Sequence, residues 1–477
     1  MFAPFLLLLS LFFGNPSQEQ PSLPTGQLVE KVTCARDPTQ SYALYLPRNY
    51  DKSRKWPVLY AFDPGARGRV PVERYKDAAE QFGWILVGSN NSRNASMQSS
   101  ITSWNAIVHD TLDKFSIDDG RAYITGFSGG ARVALTFASQ CKDCLAGVIA
   151  GGAGFPPDIE PAPTMHFAIF AIAGIEDFNF PEIKELDVKL TRANIAHQIE
   201  IWGGRHEWPP ATVATDAVVW MELMAMKSGR RPKDPKLIDS LWAEQLKRAQ
   251  ELEQQKNLFE AYQAYLNLSS SFKGLREVNE SDGKADALRG MREVRDALRD
   301  EQQQIKKQRE LENQLIDLMA ASERAQAREA NPDRNTSGGD ESSDLDTRLK
   351  ALVSELRRQS KVEADSPARR VARRVLGGQY VGLSERGSNA LQTLKRYDEA
   401  VRLYTLATEI DPDRAGAFYS LAWAYNARGD KKKALKALET AVDKGFKDYA
   451  GISANHAFDS LRNDPVYLQL IEKMRGN

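Results

Sequence analysis

Cysteine, histidine and unbalanced charge are all scarce in this chain. Of its 477 residues only three are Cys and five are His, and 64 Lys+Arg offset 64 Asp+Glu to a formal net charge of zero. The missing basic surplus argues against a dedicated nucleic-acid binder, whose affinity for phosphates depends on excess positive charge. Cys34 stands alone, and Cys141-Lys-Asp-Cys144 is the one close pair. A structural zinc site would need a second ligand pair, so no metal or cofactor is implied. The pair is expected to be structural or inert, and in an exported protein it could close as a small-loop disulfide. Beyond the N-terminus no run approaches the roughly 18 unbroken apolar residues of a membrane helix, which excludes an integral helical membrane protein. What remains is 42% hydrophobic and 27% charged, a globular composition with chain enough for about three domains.

The N-terminus is the exception. Met1 to Gly14 reads MFAPFLLLLSLFFG and passes at once into polar NPSQEQPS. That is the length of a signal-peptide core and too short to span a bilayer. Residues 1–20 are therefore expected to direct export, giving a secreted or periplasmic protein with no membrane segment once they are removed. No Cys lies near the run, which excludes a lipoprotein anchor.

Composition shifts near residue 230. Six of the eight Trp precede it, and a charged, proline-bearing stretch from Ser228 to Pro235 marks the change. Before it, short apolar runs such as PVLYAFD (Pro57 to Asp63), RAYITGF (Arg121 to Phe127), FAIFAIA (Phe167 to Ala173) and QIEIW (Gln198 to Trp202) alternate with helical stretches. Continuous apolar strands separated by helices predict an α/β fold with a mainly parallel sheet covered on both faces, here over residues 25–228. After the boundary Ala, Leu, Glu, Lys, Arg and Gln recur at helical spacing. They predict a helical pair over 237–271 and one long helix over 284–328, within a helical region 237–328. The polar stretch NPDRNTSGGDESSD (Asn331 to Asp344) predicts a flexible linker over 329–345, followed by an all-α segment 346–477. The long helix carries Leu288, Met291, Leu298, Ile305, Leu311, Leu315 and Leu318; the irregular heptad favours packing back on its own protein over self-association.

In the last segment Tyr397, Ala400, Tyr404, Ala407 and Pro412 are matched 34 residues later by Lys431, Ala434, Leu438, Ala441 and Phe446. Small residues at four of these places let paired helices approach closely. The period resembles that of tetratricopeptide (TPR) repeats, with two copies over Leu383 to Asp448. The resemblance implies a concave surface for a protein or peptide partner.

Chemistry concentrates before residue 230. Gly126-Phe127-Ser128-Gly129-Gly130 is a G-x-S-x-G between the strand RAYIT and the helical ARVALTFAS. A nucleophile elbow must turn sharply from strand to helix, and small residues flanking the serine permit it. The N–H of Gly129 would face a developing oxyanion at the positive end of the next helix. A serine needs a base, and His206 follows the last strand; His109, His166, His197 and His456 fit worse. An acid should follow the penultimate strand, where Asp177 is the choice and Glu176 the rival that spacing alone does not separate. The order Ser128, Asp177, His206 is that of the α/β-hydrolase fold. A second oxyanion donor should come from Asp63-Pro64-Gly65-Ala66-Arg67-Gly68. Pro64 has no N–H, which leaves Gly65 or Ala66.

With the segment GGRHEWP around His206 and Trp104 in the helix before the elbow, the first half resembles α/β-hydrolase esterases related to feruloyl esterases and polyhydroxybutyrate depolymerases. The resemblance implies hydrolysis of a small ester through an acyl-enzyme. Many hydrolases carry His-Gly where this chain has Asp63-Pro64, which supports a rival reading as a non-catalytic scaffold with a degenerate site. A peptidase of related fold is the other alternative. Only 29 residues separate Asp177 from His206, so no large lid is inserted there and an open site is expected, bounded by residues 90–103 and Phe178.

Overall fold

Alternation with period two decides which face of a strand meets which helices, and the central strands bury both faces. In the computed structural model, which describes residues 23–94, 97–329 and 339–475, eight strands form one sheet. They are β1 (Leu28–Thr33), β2 (Ser41–Tyr45), β3 (Trp56–Phe62), β4 (Ile85–Ser89), β5 (Ile117–Phe127), β6 (Gly147–Gly151), β7 (Ala168–Gly174) and β8 (His197–Trp202). The order is β1-β2-β4-β3-β5-β6-β7-β8. β1, β2 and β4 pair antiparallel, and from β4 through β3 to β8 every pairing is parallel. The four runs named above as strands are β3, β5, β7 and β8. β1 escapes the sequence reading because LVEKVT is half exposed and carries charge between its apolar positions.

Leu59, Tyr123, Ile149 and Phe170 face α1 (Arg69–Phe82) and α5 (Ala211–Lys227). Val58, Tyr60, Ile124 and Val148 face α2 (Met97–Lys114), α3 (Gly129–Gln140) and α4 (Phe180–Arg192). The expected signal segment 1–20 lies outside the described residues. Cys141 and Cys144 are joined by a disulfide at the end of α3, their Cα atoms 5.7 Å apart, and Cys34 is free and buried.

The change of composition near residue 230 marks a change of element type, and the core runs on across it. α6 (Pro235–Gln254), α7 (Leu258–Phe272) and α8 (Asn279–Arg289) bury Trp242, Tyr265 and Phe272 in the same apolar cluster as Trp220 and Met221 of α5. The charged stretch between them is fastened down. Arg231 pairs with the fully buried Glu222 of α5, which also takes Arg121 and, at 2.6 Å, the indole N–H of Trp84. Arg230 reaches the carbonyl of Gly120 at 3.1 Å.

The long helix expected over 284–328 is two. Its first turns belong to α8, the chain breaks at Gly290–Met291, and α9 runs from Arg292 to Glu329. Its apolar stripe packs inward as expected: Leu315 is fully buried, and Ile305, Leu311 and Leu318 nearly so. Of the expected linker, residues 330–338 lie outside the described residues, and by Gly339 the chain is in α10 (Gly339–Ser360). There follow α11 (Pro367–Ser388), α12 (Tyr397–Ile410), α13 (Ala415–Arg428), α14 (Lys431–Asp443), α15 (Tyr449–Ala454) and α16 (Pro465–Arg475). Ala400, Ala407, Ala434 and Ala441 are completely buried, which is the close helix approach their spacing predicts. The second apolar core joins these helices to the C-terminal half of α9.

Candidate active site

β5 hands the chain to α3 at Ser128, whose backbone is held at φ 54° and ψ −120°. A non-glycine residue there is strained, and the strain persists because the surroundings over-determine it. The Ser128 N–H donates to the Gly151 carbonyl at 2.7 Å. A β-carbon on Gly126 would overlap the Gly130 carbonyl, and one on Gly130 would overlap the Phe62 carbonyl. Only glycine fits either flank, and the turn lifts the Ser128 hydroxyl off the end of the sheet.

His206 lies beside it, on the loop after β8. Its Nε2 is 2.9 Å from Ser128 Oγ and its Nδ1 is 2.8 Å from Asp177 Oδ1. With Nδ1–H donating to the carboxylate, Nε2 is left to accept from the hydroxyl. Asp177 is 1% exposed at its side chain and His206 16%. Oδ1 of Asp177 also accepts from the Asn179 N–H at 2.8 Å. The rings of Phe127 and Phe178 lie 4.6 and 4.1 Å from the imidazole, an apolar wall that strengthens the charge interactions inside it. The other four histidines are elsewhere: His109 and His456 are exposed, and His166 and His197 pair with Asp143 and Asp187.

Glu176 turns away from the imidazole. Its carboxylate accepts from Arg373 at 2.7 and 2.8 Å and from Arg369 at 3.0 and 3.1 Å, with Arg205 at 3.5 Å. Burial works to raise its pKa, but Arg373 and Arg369 outweigh it and hold the carboxyl below the usual range. Of the two neighbouring acids, Asp177 is the one brought to His206.

On the oxyanion side one expectation needs correcting. Among the described residues the Gly129 N–H has no acceptor, so it is available at the start of α3. The Gly65 N–H, however, donates to Asp63 Oδ1 at 2.8 Å, and the Ala66 N–H to the Asp63 carbonyl at 3.0 Å. Both are spent inside their own turn. The polar side chain that does sit against Gly129 is Asn94, whose carboxamide a β-carbon at Gly129 would overlap. Its backbone N–H donates to the Pro64 carbonyl at 2.9 Å, which ties the two loops together. The sequence signal for Asn94 was the polar run NNSRN after β4, within the segment expected to border the site; residues 97–103 of that segment are the first turns of α2.

Asp63 has a different task from the one its position suggests. Fully buried, it accepts from the Trp208 indole N–H at 2.8 Å and from Arg67 at 2.8 and 2.9 Å. Burial pushes its pKa up, but Arg67 and Trp208 more than offset this and lower it. Because Trp208 is two residues from His206, Asp63 joins the loop after β3 to the histidine loop.

Residues 90–207 match the dienelactone hydrolase family, and residues 391–455 match the tetratricopeptide repeat. Solved structures similar to this chain include an S-formylglutathione hydrolase from Staphylococcus aureus (15% identity, 42% of this chain and 98% of that one, TM-score 0.34). A Bacillus cereus carboxylesterase is similar at 15% identity over 39% of this chain and 94% of that one, with a TM-score of 0.32. A feruloyl esterase module from Clostridium thermocellum is similar at 16% over 42% and 88%, with a TM-score of 0.30. No curated protein matches the chain significantly. The chain thus carries an esterase-like hydrolase fold followed by a helical region with TPR repeats.

Proposed function

We propose that this protein is an exported serine hydrolase acting on carboxylic esters, with Ser128 as nucleophile, His206 as general base and Asp177 as the acid that orients it. The reading rests on one observation: the unbroken relay from Asp177 Oδ1 through the imidazole to Ser128 Oγ, with links of 2.8 and 2.9 Å, at a strained strand-to-helix turn. His206 takes the Ser128 proton as Oγ attacks the ester carbonyl. Asp177 stabilises the imidazolium that results. The oxyanion is met by the Gly129 N–H, with the Asn94 side chain as the nearest second polar group. The imidazolium returns its proton to the leaving alcohol, and water, activated by the same imidazole, releases the acid from the acyl-enzyme. The apolar run at residues 1–14 and the Cys141–Cys144 disulfide both favour an oxidising compartment outside the cytosol. The repeats suit a protein or peptide partner.

The competing reading, a hydrolase domain kept only as scaffold, draws on the spent N–H groups of Gly65 and Ala66. One experiment decides between them. Purified protein treated with a fluorophosphonate probe should label on Ser128 and turn over p-nitrophenyl acetate. Ser128→Ala should lower kcat by about 10⁶-fold and Asp177→Asn by about 10⁴-fold, and His206→Ala should lose both labelling and turnover. A folded wild type that neither labels nor hydrolyses would leave the scaffold reading standing.

A further inference from the structure

The loop that delivers Asp177 is held from two directions. On the sheet side its amides are used: the Ile175 N–H donates to the Trp202 carbonyl at 2.8 Å and the Glu176 N–H to the Gly204 carbonyl at 2.9 Å. Two of its carbonyls and the Glu176 carboxylate are taken by helices that arrive more than a hundred residues later. Arg374 Nε donates to the Ile175 carbonyl at 2.7 Å, Gln308 Nε2 donates to the Phe178 carbonyl at 2.9 Å, and Arg369 and Arg373 close on Glu176. Along Ile175-Glu176-Asp177-Phe178 the Asp177 carboxylate is the polar group aimed at His206, and the Phe178 ring lies against the imidazole.

Two features of α11 bear on the same loop. Arg374 is 1% exposed, with its guanidinium 3.7 Å over the Phe180 ring. Burial lowers its pKa to about 10, so it stays cationic at neutral pH, and a buried cation is costly unless partnered. Gly377 and Gly378 sit side by side inside a helix, where glycine weakens the element. A β-carbon at 378 would come within 3.3 Å of Phe178 Cβ, and one at 377 within 3.7 Å of the Phe178 ring. Phe178 therefore touches both α11 and the imidazole.

We propose that α11 is a working part of the hydrolytic site. Arg373, Arg374 and Gly378 are positioning residues that hold the acid loop and, through Phe178, the imidazole of His206, so turnover requires the helical region in place. The inference rests on the serine-hydrolase reading above. A loop after a strand is ordinarily mobile, whereas a base-orienting carboxylate must be held within about half an ångström of its working geometry.

The test uses the full chain carrying Arg373→Ala, Arg374→Met or Gly378→Leu, with Arg428→Ala in α13 as a control. Each of the three should lower kcat for p-nitrophenyl acetate by about 10- to 100-fold with little change in KM, and slow fluorophosphonate labelling in parallel. Millimolar guanidinium should restore part of the Arg373→Ala activity. Gly378→Leu, which presses Phe178 toward the imidazole, should displace the acidic limb of the pH–rate profile. Independently of activity, Arg373→Ala should speed amide hydrogen exchange at Glu176 and Asp177. Wild-type kcat, labelling and exchange in folded Arg373→Ala and Gly378→Leu proteins would overturn the proposal, even if Arg374→Met fails to fold. An unlabelled, inactive wild type would overturn the hydrolase reading instead, and the exchange comparison would still decide whether α11 holds the loop.

Discussion

At the scale of single residues, the candidate site was legible where chain order decides and illegible where a distant side chain does. Ser128, Asp177 and His206 each follow a strand in the parallel sheet, and such strand ends converge on one rim. Spacing could find them. It could not separate Asp177 from Glu176, because Arg369 and Arg373, which draw Glu176 aside, lie nearly two hundred residues away. Nor could it show that Asp63 captures the Gly65 N–H, since that depends on where a short side chain turns. Another acid makes a prediction of its own. Glu200, half-buried on β8, has its pKa pushed up to about 7 by burial and by Asp216, with Arg248 opposing. Its folded value lies above the unfolded one, so folding is penalised as pH rises from about 4.5 to 7, and fully so above that. Glu200→Gln should therefore leave urea stability unchanged at pH 4 and raise it at pH 8 by about 1–2 kcal/mol, allowing for partial exposure.

At the scale of elements, continuous apolar runs between helical stretches were enough to predict the parallel sheet, and the 34-residue spacing enough to place the paired repeat helices. β1 was missed because an edge strand need bury only part of itself. The break between α8 and α9 was missed because charged helical periodicity runs straight through Gly290 and Met291. The stretch after α5 marked a boundary in the sequence because it is charged and holds proline. Its arginines are instead counter-ions to Glu222 and a partner for Gly120. Glu222→Ala would leave Arg121 and Arg231 without their shared carboxylate at the base of the sheet. The expected cost is about 3–5 kcal/mol in urea unfolding; a loss below about 1 kcal/mol would show that the fastening is incidental.

At the scale of the whole molecule, the change of composition suggested domains that the packing does not separate. Trp242, Tyr265 and Phe272 complete the apolar layer over α5, so α6 to α8 belong energetically with the sheet. Unfolding followed by Trp fluorescence and unfolding followed by fluorophosphonate labelling should give coincident urea transitions. A first transition that melts α6 to α8 while labelling persists would contradict this.

α9 connects the two cores physically. Val294 and Leu298 lie in the first, Leu311, Leu315 and Leu318 in the second, and the 38 residues between Arg292 and Glu329 include neither proline nor glycine. Such a helix is a rod about 57 Å long, and without a breaking residue it flexes gently rather than hinging. Mechanically it is a spar: a torque applied at the repeats is carried undivided to the flank of the sheet where Lys184 and Glu185 of α4 grip Glu301 and Arg309, one helix beyond the acid loop.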